Sequence, residues 1–325
     1  RSSGGDDVKV PGICLPLRGF NGADALRFGK MAEELDYDSV WVSELASYDA
    51  IAGACAIAAV TERITIGTAI VPFTTRSAAL HAMGYSTLGS IGGDRTIVGY
   101  GLSTDPIIEG WHGQDLPKAL PTVRDLFAII DQAMTGEATD YEGKVLSSKG
   151  FRLEKPTSTP PRRVIGALGP KMRKFTRDHA DGLILNFAPR STLAGFAERE
   201  RPAGKPDHEL VLPIRVAVGD DLDEQIHRFR RETASYMRVP VYENSLRELG
   251  FGEVVDEVLS HDSLQEMADA LPDDFADDMG LIGTEEECRT KMARMNSDGV
   301  TPLLVPIVDP GDGDTYERTI QALAP

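Results

Sequence analysis

The sequence predicts an α/β protein built as a (β/α)8 TIM barrel with insertions. Short apolar runs alternate with longer segments of helical spacing, which implies parallel strands joined by crossover helices. Eight such strand–helix units can be read along the chain, the number that closes a barrel. The first strand runs into Pro16-Leu17-Arg18-Gly19 rather than a glycine-rich dinucleotide turn, which speaks against an open doubly wound sheet.

Each element has a local reason. Residues 8–15 are an apolar run and form the first predicted strand. Residues 21–35 carry Ala25, Phe28, Met31, Ala32 and Leu35 at helical spacing. Residues 39–42 are the second strand, and the small residues of 49–60 a second helix. Strand 64–71 precedes helix 77–91, and strand 96–101 leads through a Gly- and Pro-containing loop to helix 120–134. Strand 163–167 meets a helix over 171–179, opened by Gly169-Pro170. Strand 182–187 is followed by helix 191–200. Strand 210–218 and strand 302–308 complete the eight, with 314–323 as a terminal helix.

Residues 8–325 are therefore read as one barrel domain. Residues 1–7, which open at Arg1 without Met, are read as a flexible N-terminal tail. Two stretches exceed the minimal repeat. Residues 137–161 hold Gly, Thr, Ser, Lys and Pro with one apolar pair, Val145-Leu146, and are read as a hairpin or loop insertion. Residues 219–290 are read as largely helical, with 20 Asp and Glu against 6 Arg and no Lys, a net of -14. Such a run is ordinarily a solvated helical face.

The 325 residues are 41% hydrophobic and 26% charged, as in ordinary globular proteins, and the formal net charge is -17. That balance disfavours nucleic-acid and anionic-membrane partners, because phosphates need a basic footprint. Cys14, Cys55 and Cys288 form no CxxC or Cys/His cluster, so no metal site is expected and buried thiols in a reducing compartment are. No apolar run approaches the roughly 18 residues needed to span a bilayer, and no signal peptide opens the chain. A cytoplasmic protein is expected.

In a barrel of this kind the active site lies at the C-terminal ends of the strands. Those ends carry few acid–base groups: no Ser/His/Asp set, no paired carboxylates within a motif, and only His112 beside a candidate loop. That poverty suits cofactor chemistry. The most informative segment is Gly166-Ala-Leu-Gly-Pro-Lys-Met-Arg-Lys174. Pro170 at a helix start leaves N–H groups free to bind a phosphate, and Lys171, Arg173, Lys174 and Arg177 add positive charge. A capped helix with a solvated basic face reads the same residues as well.

Several pieces, in order along nearly the whole chain, resemble the bacterial-luciferase-like superfamily and its coenzyme F420-dependent branch. They are Asp38-Ser-Val-Trp-Val-Ser-Glu44, Thr61-Glu-Arg-Ile-Thr-Ile-Gly-Thr-Ala-Ile-Val71, Gly99-Tyr-Gly-Leu-Ser103 and Glu109-Gly-Trp-His-Gly113. Ala167-Leu-Gly-Pro-Lys-Met172, Ala180-Asp-Gly-Leu-Ile-Leu-Asn186, Leu281-Ile-Gly-Thr-Glu-Glu-Glu-Cys288 and Asp298-Gly-Val300 follow. The resemblance implies a luciferase-like barrel with a deazaflavin ring at its top. It also implies a non-prolyl cis peptide at Ala69–Ile70, forming a bulge behind that ring. It places Glu44 near the ring, Gly101 and Ser103 near cofactor or substrate, and Leu168, Gly169, Pro170 and Lys171 at the phosphate with Asn186 beside them. Trp111 and His112 either wall the substrate pocket or pack there.

The departures are informative too. The family's sugar-phosphate dehydrogenases carry a His after the acidic residue of the second strand, where this chain has Leu45. They carry a Glu at the end of the fourth strand, where it reads Leu102-Ser103. Hydride transfer to an activated C=C or C=N bond is then easier to support than alcohol oxidation, with Ser103, His112 or water supplying a proton. Glu44, Ser103 and His112 are the candidate catalytic residues. The resemblance implies a hydride-transferring oxidoreductase using F420, acting as a reductase, and a homodimer. An FMN-dependent monooxygenase and a non-catalytic flavin binder are the alternatives.

Overall fold

The computed structural model describes residues 11–325. The tail at 1–7 and the start of the first predicted strand, residues 8–10, lie outside the described residues. Eight parallel strands close a barrel: β1 (Gly12–Cys14), β2 (Ser39–Val42), β3 (Thr65–Thr68), β4 (Thr96–Gly101), β5 (Arg162–Gly166), β6 (Gly182–Ile184), β7 (Glu209–Val218) and β8 (Thr301–Pro306). Each pairs with the next in the chain, and β8 returns to β1, with Gly12 opposite Leu303.

The helices pack outside. They are α1 (Gly22–Glu34), α2 (Ala50–Ala58), α3 (Ala78–Gly92), α4 (Ala119–Met134), α5 (Pro170–His179), α6 (Leu193–Glu200) and α7 (Asp223–Met237). After α7 come α8 (Pro240–Glu248), α9 (Gly252–Leu259), α10 (Leu264–Asp269), α11 (Asp273–Met279), α12 (Glu285–Ser297) and α13 (Gly313–Ala322). Their starts follow the capping residues. Asn21, Asp49, Ser77 and Thr284 each accept a backbone N–H from the first turn of the helix they precede.

Three apolar clusters result. The largest lies between strands and outer helices. A second fills the barrel itself, with Cys14, Trp41, Ile97, Val164, Ile184, Val211, Leu303 and Val305. Trp41 takes so much of that space that a Cβ on Gly67 would fall 2.4 Å from its ring, so the position admits only glycine. The third cluster belongs to α7–α11 and reaches Phe187 just after β6.

Two predicted elements differ in detail. The third strand does not run unbroken over 64–71. It stops at Thr68 and resumes as Val71–Pro72. Gly67 opposes Ile97 and Val71 opposes Tyr100, so the third strand carries one residue more than its partner, a bulge at Ala69–Ile70. The stretch 219–290 is not helical throughout. Gly280–Gly283 is a strand parallel to β7, pairing with Arg215–Val218 beyond the point where β6 ends. Within 137–161, Asp140–Glu142 and Ser147–Lys149 form an antiparallel hairpin. The Asp125 carboxylate holds it by accepting from the Val145 and Leu146 N–H groups and the Tyr141 hydroxyl.

Candidate active site at the mouth of the barrel

The bulge after β3 forms the floor of the mouth. The Ala69–Ile70 peptide is cis, as the resemblance implied. The Ala69 carbonyl accepts a 2.7 Å hydrogen bond from Ser43 Oγ at the end of β2, and Ser43 in turn lies 3.3 Å from Cys14 Sγ. Burial pushes the Cys14 thiol up, so it stays protonated. The Ile70 side chain lies across the strand ends. A Cβ on Gly101 would come within 2.9 Å of it, and one on Gly166 within 3.5 Å. Gly101, Gly166, Ala69 and Ile70 therefore meet at one place, with Ile70 as an apolar face between β4 and β5.

Glu44 sits beside this floor, with both carboxylate oxygens engaged. It takes a two-pronged ion pair from Arg76, 2.6 Å at Oε1 and 2.5 Å at Oε2. It also accepts from Thr75 Oγ1 and from the Ala50 N–H at the start of α2. Both side chains are nearly buried, at 11% and 10% exposure, and Arg76 pairs further with Asp49. This geometry makes Glu44 an anchor of the loop after β3 rather than a free base. His81 supports the same loop, its Nε2 lying 3.2 Å from the Phe73 carbonyl. Burial and the nearby Arg76 hold its pKa down to about 4.

The predicted phosphate segment follows β5, whose last residue, Gly166, lies against Ile70. Pro170 opens α5, Gly169 precedes it with no capping side chain, and a Cβ on Gly169 would meet nothing within 4 Å. That is an open helix N-terminus with unpaired N–H groups. The basic cluster is otherwise largely neutralised. Buried Arg173 donates through Nε to Glu200 at 2.9 Å, and also binds the Leu168 carbonyl and Glu248. Arg177 shares Glu200, and Lys174 pairs with Asp178. Lys171 is exposed and has no carboxylate partner among the described residues.

The remaining predicted residues lie in the loops that follow β4 and β6. Ser103 is half-buried in the loop after β4 with φ +69°, the left-handed region. Trp111 is 58% exposed, and His112 is exposed where the helical turn Pro106–Trp111 ends. Asn186 follows β6, and its Nδ2 donates to the Tyr242 hydroxyl at 3.0 Å. Sequence reasoning missed Ser43, Arg76, Arg215, Tyr236 and Tyr242. Arg215 alone carried a signal, as a charge inside the apolar β7 run Glu209–Val218. It is 8% exposed and paired with Glu232 of α7.

Among the described residues no group of His, Cys, Asp and Glu is arranged to hold a metal ion, and no helix is long and apolar enough to cross a membrane.

Residues 8–302 match the family model described as luciferase-like monooxygenase. A Mycobacterium tuberculosis protein provisionally named a coenzyme F420-dependent oxidoreductase is 28% identical, over 84% of this chain and 88% of its own. Among solved structures, the coenzyme F420-dependent tetrahydromethanopterin reductase of Methanopyrus kandleri superposes with a TM-score of 0.76 at 18% identity, covering 96% of this chain and 97% of its own. The FMN-bound oxygenating component of 3,6-diketocamphane monooxygenase from Pseudomonas putida gives 0.68 at 17%, covering 98% and 97%. These two structures share the barrel.

Proposed function

From the premise that this chain belongs to the luciferase-like monooxygenase family of oxidoreductases, we propose that it is an F420-dependent oxidoreductase. It transfers hydride between the deazaflavin and a small organic substrate, acting as a reductase. The observation that carries this reading is the open N-terminus of α5, with Lys171 lacking a carboxylate partner among the described residues, close in the chain to Gly166 at the Ile70 floor. A flat ring and an anionic tail fit those two features together. When bound, the reduced cofactor supplies a hydride at its deazaflavin ring.

The chain's own residues hold and orient. Leu168, Gly169 and Lys171 would receive the phosphate through backbone N–H groups and the Lys171 ammonium, while Pro170, which has no N–H, sets the start of the helix. Arg173 fixes the Leu168 carbonyl and so the shape of that loop. Ile70, seated between Gly101 and Gly166, would offer the ring an apolar surface, and Ser43 steadies the Ala69 carbonyl beside it. Glu44 and Arg76 hold the flanking loop.

The proposed direction rests on the acid–base groups. Oxidising an alcohol needs a base to take its proton. At the mouth Glu44 is held by Arg76 and Glu232 by Arg215, so neither is a free base. Reduction of an activated double bond needs only a proton donor, a task that water or the Ser103 hydroxyl can perform. FMN is the second reading, favoured by the shared barrel of the FMN-bound monooxygenase. Titrating the protein with F420, FMN and NADPH side by side tests the choice. Saturable F420 binding with weaker FMN binding is expected. Tight FMN binding without F420 binding rejects the proposal.

A further inference from the structure

The acidic insertion brings aromatic groups to the mouth. Tyr236 of α7 stacks on Phe187 with ring centres 4.5 Å apart, and Tyr242 of α8 meets Tyr236 edge-on at 4.9 Å. Both rings are half-buried, with Phe187 packed behind them in the core of the insertion. The Tyr236 hydroxyl accepts from Arg215 Nη2 at 3.4 Å, and the Tyr242 hydroxyl accepts from Asn186 Nδ2 at 3.0 Å. Each hydroxyl thus takes a hydrogen bond from the protein. Neither donates its own proton to any partner among the described residues. Burial pushes the Tyr242 hydroxyl up to about 12, so it remains a donor at neutral pH. Glu232 neutralises the buried Arg215, so this wall carries no unbalanced charge.

We propose that Tyr236 and Tyr242 form the substrate wall of the site and select a flat, unsaturated substrate bearing a neutral carbonyl oxygen. The aromatic rings provide faces for a planar frame. The two waiting O–H donors call for an acceptor, because a buried donor left unpaired by the ligand costs affinity. The charge balance at Arg215 favours a ketone, aldehyde or ester over a carboxylate or phosphate. The proposal rests on the reading of the mouth as the reactive site. It assigns the acidic insertion a part in substrate choice.

A chromophoric carbonyl tests it. The probe is 4-(dimethylamino)cinnamaldehyde, whose conjugated band moves to longer wavelength when its carbonyl accepts a hydrogen bond. Its spectrum is recorded with the full chain, without cofactor and again with F420 in both cuvettes. Wild type should bind it with a red shift. Tyr236→Phe and Tyr242→Phe, which keep the rings, should each shrink the shift and weaken binding by about tenfold. The styrene analogue without the carbonyl should bind all forms alike, and F420 affinity should not change. An undiminished shift in the double variant overturns the proposal, as does wild type that binds F420 but not the probe. If F420 fails to bind while the shift still follows the tyrosines, the cofactor reading falls and the wall stands.

Discussion

Lys171 stands exposed at the first turn of α5, while Arg173, Lys174 and Arg177 each face a carboxylate. A cation without a partner keeps its charge for a ligand. Reversing it should therefore weaken anion binding with little effect on folding. Lys171→Glu is expected to raise the F420 dissociation constant at least about tenfold, the worth of one charge-assisted contact, with the melting temperature unchanged. Fluorescence titration and a thermal scan read the two effects. His81 makes a pH prediction. Its folded pKa of about 4 lies below the unfolded value of 6.5, so the unfolded chain takes up the proton first as pH falls. The stability it contributes is present above pH 6.5 and is lost between 6.5 and about 4, on the order of 3 kcal/mol in all. Urea melts across that window should show the loss in wild type and a flatter profile in His81→Gln. An equally steep profile in the variant would remove His81 as its cause.

α8 shows how one element couples two parts of the mouth. Its Tyr242 meets Asn186 after β6, and its Glu248 meets Arg173 in α5. Arg173 and Glu200 are buried at 9% and 5% side-chain exposure, so removing the arginine leaves a buried carboxylate with only Arg177 to answer it. Arg173→Met should cost about 3 kcal/mol and also abolish tight cofactor binding through the freed Leu168 carbonyl. Glu248 is 47% exposed, and Glu248→Gln should cost less than about 1 kcal/mol while loosening α8. Chemical denaturation of the two variants separates these magnitudes. Equal losses would mean that Glu248 rather than Glu200 anchors Arg173.

Legibility in the sequence divides along the same lines. Strand–helix alternation is a local, periodic signal, and β2 and β4 fall at 39–42 and 96–101 as read. The strand Gly280–Gly283 escaped because its four residues lie between acidic helices and acquire strand character only by pairing with β7. The bulge at Ala69–Ile70 came from the family resemblance, since an apolar run alone does not show an extra residue. Glu44 was read near the ring, and its engagement by Arg76 depends on a loop that periodicity does not describe. Tyr236 and Tyr242 were hidden inside an acidic run, and only the fold of α7 and α8 brings them to Asn186 and Arg215.

Across the whole molecule, charge is unevenly spread. The net of -17 coexists with two neighbouring outer helices, α2 and α3, that contain no Asp, Glu, Lys or Arg. Val60 beyond α2 and Leu80, Met83 and Ile91 on α3 are 41%, 46%, 40% and 44% exposed. A charge-free apolar face on an acidic protein suits self-association, and the homodimer that the resemblance implies would use it. Sedimentation velocity should then find a dimer for wild type and a monomer for Met83→Glu at micromolar concentration. A dimer that survives the substitution would place the interface elsewhere.

The claim joining these levels is that a flat cofactor lies over Ile70 with its phosphate at the open end of α5. The most direct measurement is an equilibrium titration comparing intact F420 with the same deazaflavin chromophore lacking its phosphate-bearing tail. The account predicts that intact F420 binds at least tenfold more tightly to wild type, and that Lys171→Glu narrows this gap by weakening the intact cofactor alone. Equal affinity for the two ligands in wild type would contradict it.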